Sequence, residues 1–172
     1  MSPSDLGAWQ SGPQGARELF AAYPSGVVTF GAVVDGADLL MLASSFTVGV
    51  SYDPPMCSVA IQKSSTTWPV LASAPRLGVS ALSAAHARSV RLLGSRDPRN
   101  RTSAVTLARS PGGAVFVEDA TAWFECVPVH QVEAGDHIVV LLEVMGGANA
   151  DDAPPLILHR GEVHETAAIL LD

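Results

Sequence analysis

The chain has few aromatic residues and few basic ones, and each of these shortages excludes a class of function. Phe, Trp and Tyr make up 6% of the 172 residues, too few for the stacking surfaces that bind single-stranded nucleic acid. The formal net charge is −7, so the chain lacks the basic surface that nucleic acid or an anionic membrane requires. We therefore expect neither nucleic acid nor a membrane as a partner.

Cysteine and histidine are also scarce, and their spacing predicts neither a metal site nor a redox pair. Cys57 and Cys126 lie in separate apolar stretches without a CxxC motif, so we interpret them as buried thiols in a reducing compartment. The five histidines form no HxxxH or HExxH motif, and we predict no metal. His86, His130 and His164 have no partner pattern and are expected at the surface.

No apolar run approaches the roughly 20 residues that cross a bilayer. Residues 1–15 are rich in Ser, Pro and Gly and have neither the basic nor the apolar region of a secretory signal. The sequence thus predicts a flexible N-terminal arm over 1–15 and one domain over 16–172. We expect a cytoplasmic protein.

The hydrophobic pattern predicts a mainly β fold. Six or seven apolar stretches read as strands, and short helices are predicted over 16–23, 66–74 and 83–94. Residues 95–113 read as a long exposed loop, and 155–165 are expected to close the sheet. Since strands and helices do not alternate, the pattern favours an antiparallel closed barrel with a few helices.

A run of hydroxyl residues follows one of the predicted strands. The sequence QKSSTTW places Lys63, the only lysine, directly before Ser64, Ser65, Thr66 and Thr67, ahead of a predicted helix. Several hydroxyls, a helix start and a cation together suit a phosphate group. The alternative is a plain capping loop, in which the hydroxyls serve the N–H groups of the helix.

Four segments together resemble the flavin reductase-like domain family, whose fold is an FMN-binding split barrel. They follow the family's order and place the likeness over residues 16–164: YPSGVVTF at 23–30, LASSFTVGVSYDPPMCSVAI at 42–61, QKSSTTWPVL at 62–71, and AGDHIVVLLEV at 134–144 with LILHRGEVH at 156–164. The resemblance implies an antiparallel split β-barrel. It also implies a homodimer with the flavin site at the subunit interface.

The resemblance implies a set of flavin-binding residues. They are Ser44, Ser45, Phe46 and Thr47 beside the ring, Lys63, Ser64, Ser65 and Thr67 at the phosphate, and Gln62, Arg91 and Arg160 as further contacts. His137 is implied as the catalytic-site residue that positions the nicotinamide or tunes the flavin. Its alternative is a hairpin histidine that bonds its own turn. Leu42, Ser44 and Val163 depart from the Thr, Asn and aromatic residue common in the family.

The implied activity is hydride transfer from NADH or NADPH to FMN or FAD. The cofactors carry this chemistry, so the lack of a catalytic triad does not count against an enzyme. The reduced flavin would either stay bound to this protein or leave for a partner monooxygenase. Two alternatives stay open: an oxidase similar to the pyridoxamine-phosphate oxidases, and a non-catalytic barrel that binds flavin or haem.

Overall fold

The computed structural model describes residues 12–166. Their helices are α1 (Pro13–Ala21), α2 (Trp68–Leu71), α3 (Val90–Leu93) and α4 (Pro98–Thr102), with a 3-10 turn at Ala84–His86. Their strands are β1 (Ser25–Gly26), β2 (Val28–Val34), β3 (Ala37–Ala43), β4 (Thr47–Tyr52), β5 (Pro55–Gln62), β6 (Leu77–Ala81), β7 (Leu107–Arg109), β8 (Val115–Val117), β9 (Ala122–Ala134), β10 (His137–Asn149), β11 (Leu156–His159) and β12 (Glu162–Glu165). None of the helices found there is long and apolar enough to cross a membrane.

Seven strands form the main sheet in the order β3-β2-β6-β9-β10-β5-β4, and all neighbouring pairs are antiparallel. The long β9–β10 hairpin crosses its centre, and its turn contains Gly135 at φ 62°, a left-handed conformation that suits glycine. The predicted mainly β, antiparallel class is therefore confirmed, and a split barrel is consistent with it.

The C-terminal hairpin does not close the main sheet, contrary to the expectation for 155–165. β11 and β12 instead pair with β1 in a separate three-stranded sheet, in which Ser25 lies opposite Leu158. The connection between β11 and β12 is a two-residue turn with positive φ at both Arg160 and Gly161. This tight turn folds β12 back onto β11, and Leu156 of the hairpin is buried in a core cluster with Val27 and Leu82.

The core consists of two clusters of buried side chains, one on each face of the β2–β6 region. The larger cluster includes Phe30, Val59, Val79 and Leu142, all fully buried. Trp68 of α2 packs its ring edge-on against Phe30 at 6.3 Å between centroids. Burial of one such side chain contributes about 1.5–3 kcal/mol, so Trp68 fixes the hydroxyl run before it against the barrel.

The second cluster lies under the short β7–β8 hairpin and is centred on Val115 and Val117. The hairpin can approach because Gly31 and Gly78 face each other in the β2–β6 pair and carry no side chains. A Cβ at either glycine would come within about 2.4 Å of the carbonyl oxygen of Val115. The two glycines therefore permit β8 to cross directly over the sheet.

Several predicted helix boundaries were wrong. α1 begins at Pro13 rather than at residue 16, because proline suits the first position of a helix. The rest of the predicted arm, residues 1–11, lies outside the described residues. The predicted helix over 83–94 is split into a 3-10 turn and α3, and the predicted loop over 95–113 contains α4 and β7.

His86 was wrongly expected at the surface. It is 6% exposed, and its Nδ1 accepts a hydrogen bond from the backbone N–H of Ser83 at 3.2 Å. This assignment makes Nε2 the donor to the carbonyl oxygen of Glu118, 2.9 Å away. Ser83 and His86 thus form a capping box in which histidine takes the place of the usual Glu or Gln.

Candidate active site

A cavity of about 500 Å³ opens where β3 and β5 end, facing α3 and the segment that leads into α4. We call it the serine cavity. Its hydroxyl-bearing residues are Ser44, Ser45, Ser64, Ser65, Thr66, Thr67 and Ser95. Its volume falls in the range of small-molecule and cofactor sites. Seven of the predicted site residues line it: Ser44, Ser45, Gln62, Ser64, Ser65, Thr67 and His137.

Residues at neighbouring ends of β3, β5 and β10 line part of the serine cavity. Ser45 follows β3 and donates its hydroxyl proton to the carbonyl oxygen of Ala60 on β5 at 2.7 Å. Gln62, the last residue of β5, lies opposite His137, the first residue of β10. Strand pairing therefore brings segments that are distant in sequence to one edge of the sheet, where β5 ends and β10 begins.

The hydroxyl run lines the same cavity and partly serves the local backbone. The Ser65 Oγ accepts a hydrogen bond from the backbone N–H of Trp68 at 3.1 Å, as the capping alternative requires. A hydroxyl that accepts one bond can still donate its proton. Ser64 Oγ lies 3.4 Å from the side-chain oxygen of Gln62 and is exposed. The run therefore keeps donors that can turn toward a ligand.

Arg101 supplies a fixed positive charge in the wall of the serine cavity. Its Nε donates to the carbonyl oxygen of Ser95 at 2.6 Å, and Nη1 donates to Leu40 O at 2.8 Å and to Thr67 Oγ1 at 3.1 Å. Nη2 makes one long contact of 3.4 Å with Arg96 O. Since a guanidinium has five N–H donors, one donor on Nη2 is left over.

The charge of Arg101 is only partly compensated. Burial lowers its pKa, and the nearby Asp97 carboxylate offsets this in part. Among residues 12–166, Arg101 forms no salt bridge, since Asp97 is paired with Arg99 at 3.0 Å. Arginine remains protonated at any ordinary pH. A desolvated, unpaired guanidinium beside hydroxyls is the arrangement that favours an anion such as phosphate.

Arg96 also lines the serine cavity and, like Arg101, was not among the predicted contacts. The family resemblance implied Arg91 instead, which is exposed on α3 and does not line the serine cavity. The sequence does carry a signal for α4, because Asp97 followed by Pro98 is a helix start. That signal predicts that Arg101 lies on a helix, but it does not predict that Arg101 contacts β3.

Three further predicted residues also lie away from the serine cavity. The Nζ of Lys63 pairs with Glu133 Oε2 at 3.0 Å on the outer face of the hairpin. Phe46 packs into the core against Phe30 and Phe124, with ring centroids 6.0 and 5.9 Å away. Thr47 is exposed on β4 opposite Ser58. Lys63 thus does not line the serine cavity, and among residues 12–166 the arginines that line it are Arg96 and Arg101.

A second cavity of about 560 Å³ adjoins the first, and we call it the α1 cavity. The two share Ser44, Gln62 and His137. Arg160, a predicted flavin contact, lines the α1 cavity but not the serine cavity. His137 thus stands on the boundary between the two spaces, where a group bound in one can meet a group bound in the other.

The position of His137 is fixed by its own turn. Nδ1 lies 2.8 Å from the Asp136 carboxylate, and this hydrogen bond lowers the pKa of Asp136. His137 therefore does bond to its own turn, as the alternative interpretation of this residue expected. The hydrogen bond uses Nδ1, so Nε2 is left available for a ligand in either cavity. No cluster of three His, Cys, Asp or Glu residues that could hold a metal occurs between residues 12 and 166.

The sequence matches a known family over most of its length. Residues 20–167 match the family described as "Flavin reductase like domain". The chain belongs to this family, which confirms the resemblance read from the sequence motifs.

Two relatives illustrate the range of the family. The chain is 30% identical to the FMN reductase (NADH) RutF of Variovorax paradoxus over 98% of each chain. It is 33% identical to the stachydrine N-demethylase reductase subunit Stc3 of Rhizobium meliloti, over 75% of this chain and 56% of the relative. A second Rhizobium meliloti relative is matched over 44% of its length. The chain therefore spans about half of these two longer proteins.

The fold agrees with a solved flavin enzyme. The NADH:FAD oxidoreductase SgcE6 of Streptomyces globisporus C-1027 superposes with a TM-score of 0.82. The identity is 25%, and the match covers 99% of this chain and 98% of that one.

Proposed function

We propose that the protein is an NADH-dependent flavin reductase whose serine cavity holds FMN, or the FMN half of FAD. The observation that carries this proposal is the serine cavity itself. It brings together the hydroxyl run, Ser44, His137 and Arg101, and Arg101 forms no salt bridge among residues 12–166. The family and the name of the RutF relative support the same activity.

The residues of the serine cavity divide by chemistry. Arg101, Arg96 and the hydroxyls of Ser64 and Thr67 suit the doubly charged phosphate of FMN, because charge-assisted hydrogen bonds are the strongest that a protein offers. The small residues that line the same cavity, with Ser44 among them, permit close approach of a flat ring. The predicted flavin contacts Phe46, Thr47, Lys63 and Arg91 are not part of this arrangement.

A flavin bound in the serine cavity would supply the hydride-accepting chemistry, with the hydride coming from C4 of NADH and the proton from solvent. The protein's task is alignment, since hydride transfer needs the two rings in contact. We place that contact at the boundary of the two cavities. There His137, held by Asp136, orients the nicotinamide.

We further propose that reduced flavin passes to a partner monooxygenase. The name of the Stc3 relative, a reductase subunit, supports this. A homodimer is also proposed, because the edge strand β4 exposes Val48, Val50 and Tyr52, which are 59%, 43% and 89% exposed. Such an apolar edge favours pairing with a second copy.

A cytoplasmic location is proposed on the basis of the two cysteines. Cys57 and Cys126 are buried free thiols, and the neighbouring Cys57 thiol together with burial raises the pKa of Cys126. Buried thiols that form no disulfide suit a reducing compartment.

The test of the proposed function is NADH consumption by the purified protein with FMN, FAD or riboflavin in turn. We expect loss of NADH absorbance that depends on added flavin, with FMN or FAD preferred over riboflavin at low concentration because only they carry phosphate. NADPH in place of NADH measures the preference for the donor. Absence of oxidation with every flavin and both donors would contradict the proposal.

A further inference from the structure

A cavity of about 540 Å³ lies between the β7–β8 hairpin and the end of the β9–β10 hairpin that is far from its turn, and we call it the Trp123 cavity. It shares no lining residue with the serine cavity or the α1 cavity. Gly146 of the Trp123 cavity and His137 of the serine cavity both lie on β10, about 30 Å apart along the strand. The Trp123 cavity is therefore separate from the proposed site of hydride transfer.

Aromatic side chains and a strand segment of small residues form the apolar part of the Trp123 cavity. The small residues are those of β10 at positions 146–148, two glycines and an alanine. Trp123 of β9 and Phe116 of β8 also line the cavity. The indole of Trp123 is held in place, because its Nε1 donates to the carbonyl oxygen of Val117 at 2.7 Å. The cavity thus offers fixed aromatic surface beside accessible backbone, which suits a flat or compact apolar group.

The charged side chains that line the Trp123 cavity are acidic. They are Glu118, Asp119 and Glu125, and among residues 12–166 none of the three forms a salt bridge. Glu125 is half-buried, and within that range only its Oε1 has a hydrogen-bond partner, the Ser110 hydroxyl at 2.8 Å. The stem of Arg76 runs near Glu125, but its guanidinium donates to a backbone carbonyl instead. Three carboxylates without a paired cation give the cavity a negative potential.

The segment that carries two of these carboxylates is fixed by buried side chains. The Ser83 hydroxyl donates to the carbonyl oxygen of Asp119 at 2.6 Å, and His86 Nε2 donates to that of Glu118 at 2.9 Å. Ser83, His86 and the next residue of the segment, Ala120, are all buried. The backbone that positions the two carboxylates is therefore set before a ligand binds, which reduces the entropy lost on binding.

We propose that the Trp123 cavity binds a small organic cation, in which an ammonium or quaternary ammonium group is joined to a flat apolar body. Aromatic faces attract such cations, and carboxylates beside the ring add to the attraction. No group of three His, Cys, Asp or Glu within residues 12–166 could hold one metal ion, so these carboxylates surround a ligand larger than a bare ion. An anion of the same shape would be repelled. The inference does not depend on the proposed function.

The proposal is tested with benzyltrimethylammonium, by NMR titration of the ¹⁵N-labelled full chain with and without saturating FMN. The resonance of the Trp123 Nε1–H, assigned with a Trp123→Phe variant, reports binding in the cavity directly. Two comparison compounds each lack one feature of the first. Tetramethylammonium has the charge without the ring, and benzyl alcohol has the ring without the charge.

The decisive variant combines Glu118→Gln, Asp119→Asn and Glu125→Gln, which removes three negative charges with little change in shape. Asn is chosen at position 119 because the φ of 57° there is left-handed, a conformation that Asn tolerates. Glu143→Gln is the matched control, since Glu143 is a half-buried carboxylate of β10 that does not line the Trp123 cavity. Circular dichroism checks that each variant folds.

We expect the wild type to bind benzyltrimethylammonium with a Kd of about 1 mM or lower, as for a good ligand of this size. The triple variant should bind it about tenfold more weakly, because it loses three charge interactions that are partly exposed to solvent. Glu143→Gln should bind as the wild type does. FMN should leave the Kd unchanged, since the two sites share no residue.

Three results would overturn the proposal. The first is a Trp123 resonance that does not respond at about 10 mM benzyltrimethylammonium, ten times the expected Kd, as when a second copy of the chain covers the cavity. The second is equal affinity for either comparison compound. The third is equal binding by a folded triple variant. If the triple variant does not fold, the two comparison compounds still decide the matter on the wild type.

Discussion

Replacing Arg101 by glutamine is expected to weaken FMN binding by about tenfold to a hundredfold while riboflavin binding stays nearly constant. Hydrogen bonds to charged groups contribute about 1.5–3 kcal/mol, and each 1.4 kcal/mol is a factor of ten in affinity. Arg101 is held rigidly by Ser95, Leu40 and Thr67, so its charge is already in place before a ligand binds. Riboflavin lacks the phosphate and should not respond to that charge.

The measurement is the ratio of the dissociation constants of FMN and riboflavin, from quenching of flavin fluorescence. Lys63→Gln is the informative comparison, because the sequence pattern assigned the phosphate to Lys63, whereas the structure pairs this side chain with Glu133. We expect that variant to change the ratio less than about threefold, as for an exposed ion pair. A large effect at Lys63 with none at Arg101 would restore the assignment made from the sequence.

Arg101 also satisfies backbone carbonyls, so the variant requires a check on folding. Loss of those bonds affects stability and would weaken both flavins alike. The ratio is therefore the deciding quantity. A parallel fall in the affinities for FMN and riboflavin would contradict the phosphate role and assign Arg101 to the support of α4.

Replacing Gly78 by alanine is expected to destabilise the fold by about 3 kcal/mol or more. The added Cβ would lie 2.3 Å from the carbonyl oxygen of Val115, and Phe116 lies at 3.0 Å on the same side. The backbone of Val115 cannot move aside as a flexible side chain can. The loss of stability is therefore expected at the upper end of the range that overpacked substitutions show. The β7–β8 hairpin would have to lift from the sheet and expose the second core cluster.

Gly146→Ala is the matched control, since it lies in β10 and a Cβ there would meet nothing within 4 Å. The free energy of unfolding from urea denaturation compares the two variants with the wild type. Gly146→Ala should be neutral or slightly stabilising, because alanine restricts the unfolded chain. Equal stability of the two variants would show that β8 does not cross the sheet as closely as described.

The parts of the site that the sequence predicted are those carried by short local motifs. The hydroxyl run after β5 lies within a few residues and lines the serine cavity, and so does His137, directly after its turn. The antiparallel class also followed from local patterns, because strands and helices do not alternate along the chain as they do around a parallel sheet.

The parts that were missed depend on contacts between distant segments. Arg101 reaches Leu40, which lies 61 positions earlier in the chain, and Lys63 turns to Glu133, 70 positions later. Nothing in the local sequence at Lys63 indicates its partner, because only the register of β5, β10 and β9 sets these neighbours. The pairing of β1 with the C-terminal hairpin is non-local in the same way.

The most direct test of the account is a crystal structure of the protein with FMN. We predict the phosphate beside Arg101, Ser64 and Thr67, with the ring extending toward Ser44 and one face open to the α1 cavity at His137. A phosphate on Lys63, or FMN bound outside the serine cavity, would contradict it.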